Sequence, residues 1–275
     1  TTVYLADGGT GDGKTPASPV GSLDDAYASL DLAKDCKIVL VGAFTQSANF
    51  SYGKDYTGSV TITAADGDTD YRKSGAAWNF NTARFVLSGA TTFENIDFKA
   101  LDRGLLVVAQ HHPIKLGEGV TVTGDKLSGG TIANSFAILG GYQKNQDNPP
   151  LASDADTNIT VLSGSKIYIV AFSREILGEY TGTAHIKIGG NADVSVLHAS
   201  AAYPDGVKVG KTEVEVTDNA RIRTLYGTTQ VTTQDALTVT WRSGSINKCE
   251  ILCAATPKAR IDYKNGKVLK ASDTA

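Results

Sequence analysis

A short pattern of apolar pairs and small-residue turns recurs through the second half of this chain. One copy reads Ile159-x-Val161, then Ser163-Gly164-Ser165, then Ile167-x-Ile169. It returns as Ile186-x-Ile188, Gly190-Asn191 and Val194-x-Val196, and again as Val214-x-Val216, Asp218-Asn219 and Ile222. A looser copy has Val239-x-Trp241 before Ser243-Gly244-Ser245, and a last one has Ile261-x-Tyr263 before Asn265-Gly266. The turn centres Gly164, Asn191, Asn219, Gly244 and Gly266 lie 22 to 28 residues apart. A period of roughly 20 to 30 residues, built only of strands and turns, points to a solenoid. A β-sandwich would instead show strands every roughly 8 to 12 residues with no longer repeat. The spacing therefore predicts an all-β, single-stranded parallel β-helix with three-sided coils. Stacked in register, such coils place Ile159, Ile186, Val214, Val239 and Ile261 in one inward ladder.

Residues 1–35 read differently. Val3-Tyr4-Leu5 suits a strand, and the Gly/Asp-rich stretch from Asp7 to Gly13 with Pro16 and Pro19 suits a loop. Ser22 stands as a helix N-cap with Asp24 and Asp25 in the first turn. Leu23, Ala26, Tyr27 and Leu30 follow at helical spacing, so a helix is expected to end near Lys34. An open first coil exposes apolar core and unpaired backbone, and this helix is expected to cover both. From Cys36 onward the text is strand and turn. Lys37 to Val41, Val60-x-Ile62, Ile96-x-Phe98, Ile114-x-Leu116 and Val120-x-Val122 all suit strands. The polar stretch from Tyr142 to Asp156 carries Pro149-Pro150 and reads as a long loop leaving one coil. The expected organisation is one domain over 1–275: a cap at 1–35, coils at 36–270 and a tail at 271–275.

Bulk properties exclude some classes. With 26 Lys and Arg against 29 Asp and Glu, the net charge is −3, which offers no basic stripe for nucleic acid. No apolar run approaches the roughly 18 residues of a membrane span. The chain contains no Met, even at position 1, so Thr1 is expected to be a processed end, consistent with a removed signal peptide and export. Cys36, Cys249 and Cys253 show neither a disulfide framework nor zinc spacing, and small core roles are expected for all three.

The opening Val3-Tyr4-Leu5, the Gly/Asp loop, Ala17-Ser18-Pro19-Val20 and Ser22-Leu23 resemble the N-terminal head of secreted bacterial right-handed β-helix surface proteins. Gly58-Ser59-Val60-Thr61-Ile62, Asp70-Tyr71-Arg72, Thr92-Phe93-Glu94-Asn95-Ile96, the Gly117-Glu118-Gly119 turn and Ile138-Leu139-Gly140-Gly141 continue the likeness. The resemblance spans most of the chain and its motifs are structural. It implies a right-handed, pectate-lyase-like parallel β-helix and a secreted, cell-surface or adhesive role.

The enzymes on this fold are mostly polysaccharide lyases and hydrolases. Hydrolysis needs two carboxylates roughly 5 to 9 Å apart. Asp24-Asp25 sits on the capping helix, no Gly-His-Gly occurs, and Arg221-Ile222-Arg223 stands without partners in the sequence. Asp102-Arg103 with His111-His112 is the best local acid–base candidate, but His111-His112-Pro113 falls where a turn is expected. No catalytic residue is assigned. Asp66, Asp68 and Asp70 have the first-half spacing of a calcium loop, yet Tyr71 and Ala77 stand where Gly and Glu are needed. They remain candidates for a weak calcium site, and otherwise no cofactor is expected. Asp7 and Asp12 share that ambiguity. Asn49-Phe-Ser51 and Asn158-Ile-Thr160 match the glycosylation sequon.

The variable segment after each second strand carries the expected binding residues. These are Arg174 and Tyr180 in one repeat, His198, Tyr203 and Asp205 in the next, and Tyr226 in the one after. Aromatic rings beside short polar groups suit sugars, whose CH faces stack on rings and whose hydroxyls take polar partners. The expectation is a non-enzymatic extracellular structural or adhesive module that binds polysaccharide or surface glycan along one edge. The alternatives are a carbohydrate-active enzyme and a filament subunit that self-associates through its β-helix ends.

Overall fold

The computed structural model describes residues 1–144, 148–202, 206–227, 231–250, 259–263 and 268–270. They form an all-β parallel solenoid with a short helical cap. The main face stacks Thr2–Leu5, Cys36–Leu40, Ser59–Thr63, Ala90–Glu94, Ile114–Leu116, Thr157–Val161, Ala184–Ile188, Val207–Val216, Val231–Trp241 and Ala259–Tyr263 in that order, each parallel to the next. The expected ladder holds: Ile159, Ile186, Val214, Val239 and Ile261 are register partners in succession. Val60, Thr91 and Ile114 extend it toward the N-terminus. Alternate residues of a strand share a side, so each inward residue sits over its counterpart. β-branched Val and Ile suit that pleated, half-buried surface.

A third face stacks Phe50–Ser51, Ala83–Val86, Leu105–Val108, Phe136–Leu139, Ile167–Val170, Asp193–His198, Arg221–Tyr226 and Ser245–Glu250. Between the main and third faces lies a second face of only four strands: Ala43–Gln46, Ala77–Phe80, Ile96–Ala100 and Val120–Thr123. The interior beside it is filled with rings. Trp78 lies 5.1 to 5.9 Å, centroid to centroid, from Phe44, Phe85, Phe93 and Phe98. Beyond Thr123 the remaining side of the coil moves to the other flank. It is built there from Ala152–Ser153, Glu179–Tyr180 and the start of Val207–Val216. This is the variable segment of the sequence repeat. The core beside it is richer in aliphatics, with Ile167, Ile169, Ile188, Val194, Leu197 and Val216 fully buried, and the rings of Phe172 and Tyr180 are buried with them.

Tight turns join main and third faces in this half. The left-handed residues include Gly164 (φ 93°) and Lys166 (φ 55°) in one turn, and Gly190 (φ 56°), Asp218 (φ 57°) and Gly244 (φ 76°) in the next three. Two of them stand one residue ahead of the turn centres expected at Asn191 and Asn219, and Gly266 lies outside the described residues. At Gly190 a Cβ would sit 2.1 Å from the Leu162 carbonyl oxygen, so glycine is required by contact as well as by φ. Asp218 tolerates its conformation because its carboxylate accepts from the Gly190 N–H at 2.8 Å, joining adjacent coils.

The helix spans Leu23–Ala28, shorter than the expected extension to Lys34. Ser22 caps it as expected, accepting from the Asp25 N–H at 3.1 Å. The Ser29 hydroxyl donates to the Asp25 carbonyl at 2.8 Å, a local bond that competes with helix continuation. The chain past it docks on the next coil, where the Gly58 N–H donates to the Leu32 carbonyl. The helix shares the covering task rather than performing it alone. Tyr27 packs on Phe50, Tyr52 and Tyr56 over the end of the third face. On the main face, Thr2–Leu5 is the edge strand, and the glycine-rich loop pairs with it: the Tyr4 N–H donates to Gly13 and the Val20 N–H to Tyr4. On the second face, Asp7 closes the edge by accepting from the Thr45 N–H and hydroxyl at 3.0 and 2.8 Å. At the other end, Val268–Lys270 runs back antiparallel on Ala259–Tyr263.

Candidate ligand-binding surface

The sequence places its binding candidates on one edge, and the structure distributes them. Tyr180 is fully buried, packed beside His111 and Tyr142, with its hydroxyl donating to the Pro150 carbonyl at 2.8 Å. Its register partner in the next coil is Val209. Tyr226 is instead a register partner of His198 on the third face, and the two rings stack at 4.9 Å and 21°. His198 also shares a 2.6 Å hydrogen bond with the Tyr168 hydroxyl. Burial lowers the His198 pKa from 6.5 to about 4, so the ring is neutral at physiological pH. Tyr168, His198 and Tyr226 are thus brought together, apart from Tyr180. Arg174 is half-buried and pairs with Glu175 at 3.1 Å. Tyr203 and Asp205 lie outside the described residues.

Asp66, Asp68 and Asp70 sit on a hairpin, Ala65–Asp66 with Thr69–Asp70, but two of the three are engaged locally. Asp66 accepts from the Tyr4 hydroxyl at 2.6 Å and from Lys37 at 3.3 Å. Asp70 caps a 3-10 turn and accepts two bonds from Arg72 at 2.8 Å. These bonds hold both carboxyls below their ordinary pKa, and no cluster of three metal-ligating side chains occurs among the described residues. Asp102 pairs with Lys126, and His112 with Asp55. His111 is buried, hydrogen-bonded to the Thr157 hydroxyl at 2.6 Å, and its pKa falls to about 4 through desolvation and then the neighbouring His112. Cys36 is buried and free, Cys249 is half-buried and free, and Cys253 lies outside the described residues.

The sequence reading did not single out the outer side of the main face. There, one register row runs Asn158, His185, Glu213 and Thr238, and a second runs Thr160, Lys187, Glu215 and Thr240. Together they line a shallow trough of about 390 Å³. The His185 Nδ1 lies 3.0 Å from a Glu213 carboxylate oxygen, and Arg242 lies 3.5 Å from Glu215. The signal was present in the repeat. Each trough residue directly flanks an inward ladder residue, Ile159, Ile186, Val214 or Val239. Alternation that buries the ladder must present its neighbours outward. Amide, hydroxyl, imidazole, ammonium and carboxylate groups then recur at coil spacing, roughly 4.8 Å. Such a surface both donates and accepts hydrogen bonds along its length.

Compared with family models, curated proteins and solved structures, the chain shows no significant match.

Proposed function

We propose that this chain is a non-enzymatic structural or adhesive β-helix module of the extracellular space or cell surface, holding polysaccharide along its outer main face. The observation that carries this reading is the pair of polar rows across four successive coils. A repetitive polymer laid along the solenoid meets a similar set of groups at each coil, and several modest contacts add as avidity. The resemblance to secreted β-helix surface proteins supports the same class. A glycan array tests it with wild-type protein and with the double variant Lys187→Ala/Thr240→Ala. Binding to a polysaccharide that the variant loses is expected. No glycan bound by wild type, or equal binding by both proteins, would overturn the reading.

One contact favours a second reading, a polysaccharide lyase or hydrolase. In the same trough Glu213 orients the exposed His185 ring, an arrangement suited to a general base. Turnover of an array-selected polysaccharide that His185→Ala abolishes would establish that reading in place of the first. A filament grown through the N-terminal end is disfavoured, because Asp7, the glycine-rich loop and Tyr27 already occupy the three sheet edges there.

A further inference from the structure

On another surface, beside the third face, a depression of about 240 Å³ is lined by three arginines, Arg84, Arg103 and Arg174. Asn49, Thr82 and Gln143 supply its other polar lining, with Leu106 and Ile132 among its apolar walls. Among the described residues, no carboxylate belongs to the lining. Of the acids nearest in sequence, Asp102 is paired with Lys126 at 2.6 Å, and Glu175 pairs with the lining Arg174 at 3.1 Å, leaving Arg84 and Arg103 as the guanidiniums open to a ligand. Arg84 and Arg103 form no ion pair among the described residues. Arg84 is moreover fixed at its backbone. Its N–H donates to Asn49 at 2.9 Å and its carbonyl accepts from Gln46 at 2.9 Å. These side chains come from separate coils, since Arg84 lies on Ala83–Val86, Arg103 precedes Leu105–Val108, and Arg174 follows Ile167–Val170. Their convergence is a product of stacking and cannot be read from any local motif.

We infer that this depression is a binding site for a single oxyanion-bearing group: a carboxylate, sulfate or phosphate ester. Arg84 and Arg103, together in the lining with no carboxylate bridging them among the described residues, mark a place where an anion is favoured in a chain of net charge −3. Guanidinium presents paired N–H donors that match the two oxygens of such a group. The apolar walls suit the body that carries it. The volume is below the roughly 300 to 1,000 Å³ of ordinary small-molecule pockets, so the site takes one ring or one charged group rather than a polymer. It is distinct from the main-face trough, and either can fail without the other.

Calorimetric titration of the full chain with sodium sulfate, inorganic phosphate and sodium glucuronate, at ionic strength held constant with chloride, tests the inference. Glucose serves as the neutral control. Saturable one-site binding of at least one anion is expected, and the strongest of the three identifies the oxyanion. Arg103→Gln, at an exposed position where folding is not at stake, should weaken that binding at least fivefold. Arg84→Gln/Arg103→Gln should weaken it beyond tenfold, whereas Arg84→Lys should retain part of it as a point charge without the paired donors. Lys187→Ala in the trough should leave it unchanged. No saturable binding of any anion, binding of glucose as strong as that of the anions, or wild-type affinity in Arg103→Gln would overturn the site.

Discussion

Neighbouring residues on one strand have opposite duties in this molecule. Ile186 is 2% exposed and sits in the inward ladder between Ile159 and Val214. His185 points to solvent, paired with Glu213. Ile186→Ala should therefore destabilise the fold by about 2 to 4 kcal/mol as a packed large-to-small change. His185→Ala should cost under about 0.5 kcal/mol, since exposed ion pairs contribute little. Urea unfolding of the two variants checks the register, and equal losses would contradict it. The buried histidines make a second residue-scale prediction. His198 has its folded pKa near 4 against about 6.5 unfolded. Between those values the unfolded chain binds a proton that the folded chain does not, so stability falls as pH drops from about 6.5 to about 4. His111 adds the same sign. Each contributes at most about 1.4 kcal/mol per pH unit within that window. His198→Phe keeps a ring on Tyr226 and removes the titration. Unfolding measured from pH 7 to 4.5 should show a shallower slope for the variant, and an unaltered slope would refute burial of a neutral ring.

At the scale of elements, the N-terminal cap is three devices where the sequence suggested one. The helix start was legible, because Ser22 and the acidic first turn follow capping chemistry that is local. The division of labour was not, because Asp7 finds Thr45 only after the first coil has closed. Tyr27→Ala should cost about 3 kcal/mol by opening the apolar end over Phe50 and Phe85. Asp7→Ala should cost about 0.5 to 1 kcal/mol, since the exposed Thr45 N–H exchanges its carboxylate acceptor for water. Thermal unfolding with light scattering measures both. An unchanged midpoint in Tyr27→Ala would remove the helix from the cap. The trough was legible in the same way as the ladder, since the same alternation sets both. The aromatic edge was not legible. Tyr180 and Tyr226 follow similar strands in the repeat, but one turns into the core beside His111 and the other stacks on His198. Position after a strand does not specify which side of a loop is covered.

The whole molecule is a solenoid whose cross-section changes along its length while its main face runs through unbroken. The second face ends at Thr123, and the replacement side begins near Ala152. The ring cluster around Trp78 gives way across that boundary to a core of mostly aliphatic side chains with the single rings of Phe172 and Tyr180. The strand repeat announced the solenoid because burial imposes alternation on every coil. The change of side was hidden, because it is carried by which connection is long and by no residue type. The continuous outer face gives the functional account its geometry. The trough spans four coils, roughly 14 Å between its first and last strands at 4.8 Å per step. The most direct test is the affinity of wild-type protein for a size series of oligosaccharides cut from the array-selected polysaccharide. Affinity should climb with length until the ligand spans those four coils and then level off, and Lys187→Ala/Thr240→Ala should flatten the climb. Affinity that does not depend on length, or a climb that the double variant leaves intact, would contradict a polymer held along the main face.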